Sequence, residues 1–237
     1  MKILAIDTSN QPLAVALYAD GQVAAYRETN QSRNHSLQLL PFIADMMTEV
    51  QWQPRDLDRV VVAQGPGSYT GVRIGVTTAK TLATTLNIEL VGVSSLQTLA
   101  ANVDIPASLV VPIFDARNDN LYGAVYQANQ AVWPDQHTNI SKLVEFLTTT
   151  TAPIHVIGEY TNFVERLTTT FGTRITFGQG DENQPHGAQL ARLGANLAPA
   201  TAPDLFVPNY LRVSQAEADW QAAHPDEVGQ NYVEEVN

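Results

Sequence analysis

The chain has 237 residues of which 44% are hydrophobic, enough to bury a sizeable core in one large domain or two small ones and to exclude disorder as the default state. Lys and Arg total 13 against 24 Asp and Glu, a formal charge of −11 whose field repels phosphate backbones and anionic lipid heads. The absence of cysteine removes disulfides, thiolate zinc sites and cysteine nucleophiles together and suits a reducing compartment.

In chain order, Lys2 to Thr8 reads as a buried strand reaching the carboxylate of Asp7, too short and wrongly flanked for a secretory signal. Leu13 to Tyr18 and Val23 to Glu28 follow as two more strands, separated by Asn10-Gln11-Pro12 and by the hairpin signal Asp20-Gly21. Ser36 is predicted to cap a helix running to about Val50. Then come a β-branched strand (Val60 to Ala63), a helix (Gly71 to Leu86), a strand (Glu89 to Val93) and a short helix from Ser95 to about Asn102. This β-β-β-α-β-α-β-α order resembles one half of the actin, hexokinase and heat-shock-protein-70 architecture. The predicted fold class is therefore α/β, actin-like (ASKHA, ribonuclease H-like), with two such halves.

The second half is predicted from strands at Leu109 to Asp115, Asn120 to Tyr126 and Ile154 to Ile157, with a helix at Ile140 to Leu147, and is expected to be reduced. Thr148 to Thr151 and Thr168 to Thr170 read as solvated helix ends. The expected domains are 1–105, then 106–216 with its last segment returning to the first half, then an acidic frayed tail over 217–237, where His224-Pro225 interrupts any helix. No sequence repeat relates the halves. No apolar run approaches the roughly 20 residues of a membrane span, so a soluble cytoplasmic protein without a membrane partner is expected.

Two helices carry more apolar surface than a monomer needs. On the first, Leu37, Leu40, Pro41, Ala44 and Met47 share one face while Leu39, Phe42, Ile43, Met46 and Val50 share the opposite one. A stripe left in water would form a patch of the kind that marks interaction sites, unless the helix is sandwiched within one domain. On the second, Val72, Gly75, Val76, Ala79 and Ala83 share a face whose small residues would let another helix approach closely.

Asp7-Thr8-Ser9 ends a strand where actin-like folds place the carboxylate and hydroxyls that meet phosphate or its magnesium, although the same triplet is an ordinary turn. The turn Gln64-Gly65-Pro66-Gly67-Ser68-Tyr69-Thr70-Gly71 offers backbone N–H groups at a helix N-terminus, an anion cradle; alternatively its glycines permit close packing and positive φ. No P-loop lysine accompanies it. His35, His137, His155, His186 and His224 are scattered with no pair at helical spacing, so no metal is expected, and His35 beside Ser36 reads as a helix-start histidine rather than a base.

Ile6-Asp7-Thr8-Ser9, Arg33-Asn34-His35-Ser36, Leu40-Pro41 and the run from Gly65 to Gly75 resemble TsaB-like (YeaZ-like) proteins in order and spacing. So do Ala79-Lys80, Leu82-Ala83, Val91-Gly92-Val93-Ser94-Ser95-Leu96, Asp115-Ala116-Arg117 with Tyr122, and Pro208-Asn209-Tyr210-Leu211-Arg212. The resemblance extends to about Ala218, and the glycine turn is its most specific part.

The resemblance implies a non-catalytic scaffold subunit that pairs through its two N-terminal helices with a TsaD-like catalytic paralogue, joined by a TsaE-like ATPase. Together they form N6-threonylcarbamoyladenosine at position 37 of tRNAs reading ANN codons. Homodimers through the same helices are a further implication, and tRNA would be met only through the complex. His35, Leu39, Phe42, Ile43, Met46, Val72, Gly75, Val76, Ala79 and Ala83 are the expected partner-interface residues, and Asp7, Thr8 and Ser9 a possible anion contact shared with the partner. TsaD holds its metal through a His-x-x-x-His pair where this chain carries Ser95 and Leu99, and Phe114-Asp115-Ala116-Arg117 stands where active kinases of the fold carry a glycine-rich phosphate turn. No catalytic residue, metal or cofactor is therefore expected. The alternatives are an independent ATPase or kinase using Asp7 and, more remotely, a glycoprotease-like metallopeptidase.

Overall fold

The computed structural model describes residues 1–29 and 35–212. The expectation for the acidic tail, and Arg33 and Asn34 of the family-like motif, lie outside the described residues. The first half consists of β1 (Lys2–Asp7), β2 (Leu13–Ala19), β3 (Gln22–Thr29), α1 (His35–Glu49), β4 (Arg59–Ala63), α2 (Tyr69–Leu86), β5 (Glu89–Val93) and α3 (Ser95–Ala100). The second consists of β6 (Leu109–Asp115), β7 (Asn120–Gln127), β8 (Gln130–Asn139), α4 (Ile140–Thr148), β9 (Ile154–Gly158), α5 (Val164–Phe171) and β10 (Ile175–Phe177). It is followed by α6 (Gly187–Ala195).

Each half builds a five-stranded mixed sheet, ordered β3-β2-β1-β4-β5 and β8-β7-β6-β9-β10. In both, the first three strands are antiparallel and the two that follow a helix run parallel to the first. The same topology is therefore written twice in an actin-like α/β fold without a sequence repeat. The second half's reduction lies in its shorter helices and in β10, which has three residues.

Period-two alternation distributes the strands' side chains between two cores. Leu4 and Ile6 of β1 face α1 and α2, whereas Ile3 and Ala5 face α6. α2 starts at Ser68, whose hydroxyl accepts from the Gly71 amide, and ends at Asn87 in the left-handed region at φ 53°. α6 is tied to the first sheet by Arg59, whose Nη1 donates to the carbonyls of Gly194, Ala195 and Leu197 at 2.6, 3.2 and 3.1 Å. Cation and helix C-terminus attract one another there.

The halves exchange their last helices. α3 leaves the first half and packs Leu96, Leu99 and Ala100 on the second sheet against Val110, Phe114, Ala124, Tyr126 and Ile157. α6 follows the second half and packs Leu190 and Ala191 on the first sheet. α3 and α6 also touch each other. α1 and α2 cover the outer face of the first sheet, while α4 and α5 contribute Ile140, Leu143, Leu147 and Leu167 to the core on the outer face of the second.

Candidate functional site

The turn after β1 and the glycine turn before α2 are sewn together. The Ser9 carbonyl accepts from the Ser68 amide at 2.7 Å, and Thr8 Oγ1 donates to the Gly71 carbonyl at 2.7 Å. A Cβ added at Gly67 would overlap the Ser9 carbonyl oxygen, and one at Gly71 the Thr8 carbonyl oxygen. At Gly75 it would lie 2.5 Å from Thr8 Oγ1. The glycines are thus required by the close approach of two segments of this chain, the close-packing reading of the two the sequence leaves open.

Asp7 sits at the centre of this seam. Its Oδ1 accepts from the Ser9 amide at 2.8 Å and the Ser9 hydroxyl at 2.7 Å, while Oδ2 is buried without a partner. Burial pushes its pKa above the ordinary carboxylate range, opposed by the Ser9 hydrogen bonds and by nearby His35. Asp7, Thr8 and Ser9 are 0, 1 and 0% exposed. These side chains, the expected shared anion contact, are closed to solvent and engaged within the chain, so an anion would reach them only by opening the seam. His35 lies half-buried at the edge, its Nε2–H donating to the Gln11 carbonyl at 2.8 Å. This holds the start of α1 against the β1–β2 turn.

The second half's equivalent turn is open to solvent, but its carboxylate is engaged within the chain. Asp115 Oδ1 accepts from the Arg117 amide at 2.7 Å and Oδ2 from Asn162 Nδ2 at 2.6 Å. Arg117, Asn118 and Asp119 all have positive φ. Ser95 and Leu99, which stand at the metal-ligand positions of the resemblance, are fully buried in α3, and the Ser95 hydroxyl has no partner. A hydroxyl and an isobutyl group supply no metal-binding pair, and no group of three His, Cys, Asp or Glu side chains among the described residues could hold an ion. The donor set does not fit the metal of the resembled paralogue.

The helix faces divide between the chain's own core and solvent. Leu39, Ile43 and Met46 of α1 are buried in the chain's own core, with Phe42 packed against them, and Val72, Gly75, Val76, Ala79 and Ala83 of α2 are buried there too. These expected interface residues are occupied by the first sheet. The small residues of α2 let it approach β1 and β4 rather than a foreign helix, because Gly75 meets Ile6 and Val62 as well as Thr8. Of the opposite stripe, Met47 is buried in the same core, while Leu37, Leu40, Pro41 and Ala44 are left in water, with Leu37 at 73% and Leu40 at 57% exposure. Between α1 and α2 runs a mainly apolar groove of about 540 Å³ bounded by Leu39, one of the expected interface residues, and by Leu40, Tyr69, Arg73, Ile74 and Thr77. It continues beside His35, Gln11 and Ser68 as a smaller cavity of about 310 Å³. Tyr69 also stacks on Tyr210 from the far end of the chain, with centroids 4.9 Å apart. Periodicity identifies both α1 stripes, but nothing local in the sequence pairs Tyr69 with Tyr210.

No helix among the described residues is long and apolar enough to cross a membrane. A family model described as TsaD, tRNA N6-adenosine threonylcarbamoyltransferase, matches residues 23–220. The Bacillus subtilis tRNA threonylcarbamoyladenosine biosynthesis protein TsaB is 41% identical over 93% of this chain and 98% of its own length. The Escherichia coli TsaB is 37% identical over 58% of this chain and 61% of its own length. A crystal structure of a Pseudomonas aeruginosa protein described as similar to the peptidase YeaZ superimposes with a TM-score of 0.77 at 26% identity, covering 89% of this chain and 99% of that one. A near full-length relative at this identity, with the same two-half architecture and the family model spanning both halves, leads to one conclusion: the chain belongs to the TsaB family of tRNA threonylcarbamoyladenosine biosynthesis proteins.

Proposed function

We propose that the chain is a non-catalytic subunit that docks a TsaD-like catalytic paralogue on the outer faces of α1 and α2, in an assembly that also takes in a TsaE-like ATPase. The assembly acts in the cytoplasm and forms N6-threonylcarbamoyladenosine at position 37 of tRNAs reading ANN codons. The observation that carries this reading is the mainly apolar groove between α1 and α2 with Leu40 exposed at its edge. A contiguous apolar surface of this kind marks an interaction site. The sealed Asp7-Thr8-Ser9 turn and the unsuitable pair Ser95 and Leu99 support the absence of chemistry in this subunit. The charge of −11 supports a role in which tRNA is held by the partner. The same groove accounts for a homodimer when the partner is missing.

Leu40→Glu tests the reading. It is expected to abolish co-purification with the TsaD of the same genome and to lower the modified nucleoside in tRNA digests, with the isolated chain still folded. Unchanged association and unchanged modification would remove the groove from the interface.

The unpartnered Asp7 Oδ2 is the one observation that favours an independent ATPase, since a buried carboxylate oxygen without a donor is what a cation would satisfy. Calorimetry of the isolated chain with Mg-ATP separates the readings: no heat of binding at millimolar nucleotide is expected, and stoichiometric binding would favour the ATPase.

A further inference from the structure

The segment after α6 comes back across the first half and ends against the beginning of α2. Phe206 is partly buried against the core that α2 covers, and its ring stands where a Cβ at Gly92 would be. The Asn209 amide donates to the Gln64 carbonyl at 2.8 Å, and the Asn209 carbonyl lies 2.7 Å from where a Cβ of Gly65 would stand. One residue on, Tyr210 stacks on Tyr69 with an interplanar angle of 26°. Tyr69 in turn accepts from Arg73 Nη1 at 2.8 Å through its hydroxyl, and the same guanidinium lies 5.0 Å from its ring centroid. Tyr69 and Arg73 both border the groove. The last stretch of the described chain therefore grips both the glycine turn and the first turn of the helix that turn launches.

We propose that residues 203–212 form a strap that fixes the glycine turn and the first turn of α2, with Tyr210 the positioning residue that sets Tyr69 and Arg73 at the mouth of the partner-facing groove. The inference rests on the groove being the partner site. Its physical basis is that the first amides of a helix lack intrahelical partners, so the opening turn is the part most easily displaced. A stacked aromatic pair restrains it from outside, contributing a factor of roughly 2 to 10 in an equilibrium that depends on it.

Tyr210→Ala, Tyr210→Phe and Leu40→Glu are compared in the full chain. Two readouts are used: affinity for the TsaD of the same genome, and hydrogen exchange of the Gly71 and Val72 amides in the isolated chain. Tyr210→Ala is expected to weaken association roughly 2- to 10-fold and to speed exchange at both amides by a similar factor, with the global melting temperature little changed. Tyr210→Phe keeps the stack and is expected to restore both. If Tyr210→Ala leaves affinity and exchange unchanged while Leu40→Glu abolishes binding, the strap is overturned and the groove reading stands. If affinity falls with exchange unchanged, or if phenylalanine fails to restore it, Tyr210 touches the partner directly and its positioning role is overturned. If neither Tyr210→Ala nor Leu40→Glu alters association, the groove reading itself fails, and the strap's link to a partner fails with it.

Discussion

Replacing Gly75 by alanine pits two effects of opposite sign against each other. In a solvated helix the change gains about 1 kcal/mol of propensity. Here the new methyl would stand 2.5 Å from Thr8 Oγ1 and 3.5 Å from Val62 Cγ2. Thr8 cannot swing aside freely, because it is 1% exposed and its hydroxyl is held at 2.7 Å by the Gly71 carbonyl. Overpacking costs about 1–3 kcal/mol, and displacing that hydrogen bond about 0.5–1.5 kcal/mol more. Against the propensity gain the net loss is about 2 kcal/mol, a fall of roughly 4–8 °C in melting temperature for a chain of this size. Thr8→Ala alone should cost about 1 kcal/mol, but it also empties the space the methyl needs. The double variant should therefore be about as stable as Thr8→Ala, a coupling of about 2 kcal/mol in a urea-denaturation cycle. A stabilising Gly75→Ala, or single effects that add to within about 0.5 kcal/mol, would refute the claim that these glycines exist to let the two turns pack.

Leu39→Glu and Leu40→Glu, neighbours on α1, should separate stability from association. The first places a charge in the core and should cost on the order of 4 kcal/mol in urea denaturation, whereas the second should change stability by less than about 0.5 kcal/mol and act only on binding. Asp7→Asn should keep the Ser9 hydrogen bonds, leave stability at neutral pH unchanged or raised, and still restore the modified nucleoside in cells lacking the wild-type gene; a stable but inactive variant would give Asp7 a chemical role. His186 donates through one ring nitrogen to Glu28 at 3.0 Å and through the other to the Asp181 carbonyl at 3.0 Å, and the Glu28 hydrogen bond raises its pKa against the effect of burial. Because the folded-state pKa is raised, this contribution is complete below the unfolded value of about 6.5 and disappears as pH rises through the folded value. The stability difference between wild type and His186→Gln should therefore shrink as pH rises above about 6.5. A difference that grows over that range would show that the imidazolium is not the stabilising form.

The first half is legible because its elements are strongly patterned. Lys2 to Asp7 and Arg59 to Ala63 are short β-branched or apolar runs, whereas the Ser68 and Ser94 caps that start α2 and α3 are seen only in the structure. The second half hides elements that break the usual signals. β8 is an edge strand, largely exposed, with Pro134 inside it, where the missing amide need not pair. α6 is short and glycine-flanked, since Gly187 and Gly194 must lie against β2 and β4, and such a sequence reads as a loop. Which face of each helix turns inward is hidden for a different reason. Periodicity on α1 yields two apolar faces about 180° apart, and only the position of the first sheet decides that Leu39, Ile43 and Met46 turn inward while Leu37 and Leu40 remain outside. On α2, the small residues Gly75, Ala79 and Ala83 at every fourth position signal a close neighbour without saying whether that neighbour is a helix of another chain or a strand of its own.

The exchange of α3 and α6 bears on how the molecule responds to force and to partners. Two lobes with separate cores could rotate about a hinge, but here each sheet's inner cover is carried by the chain of the other half. Rotation would strip apolar surface from both sheets at once. Cutting the connection around 101–108 should accordingly leave the fragments associated rather than release two folded pieces. An interlocked body of this kind would meet any partner as one piece, with little reordering between its halves.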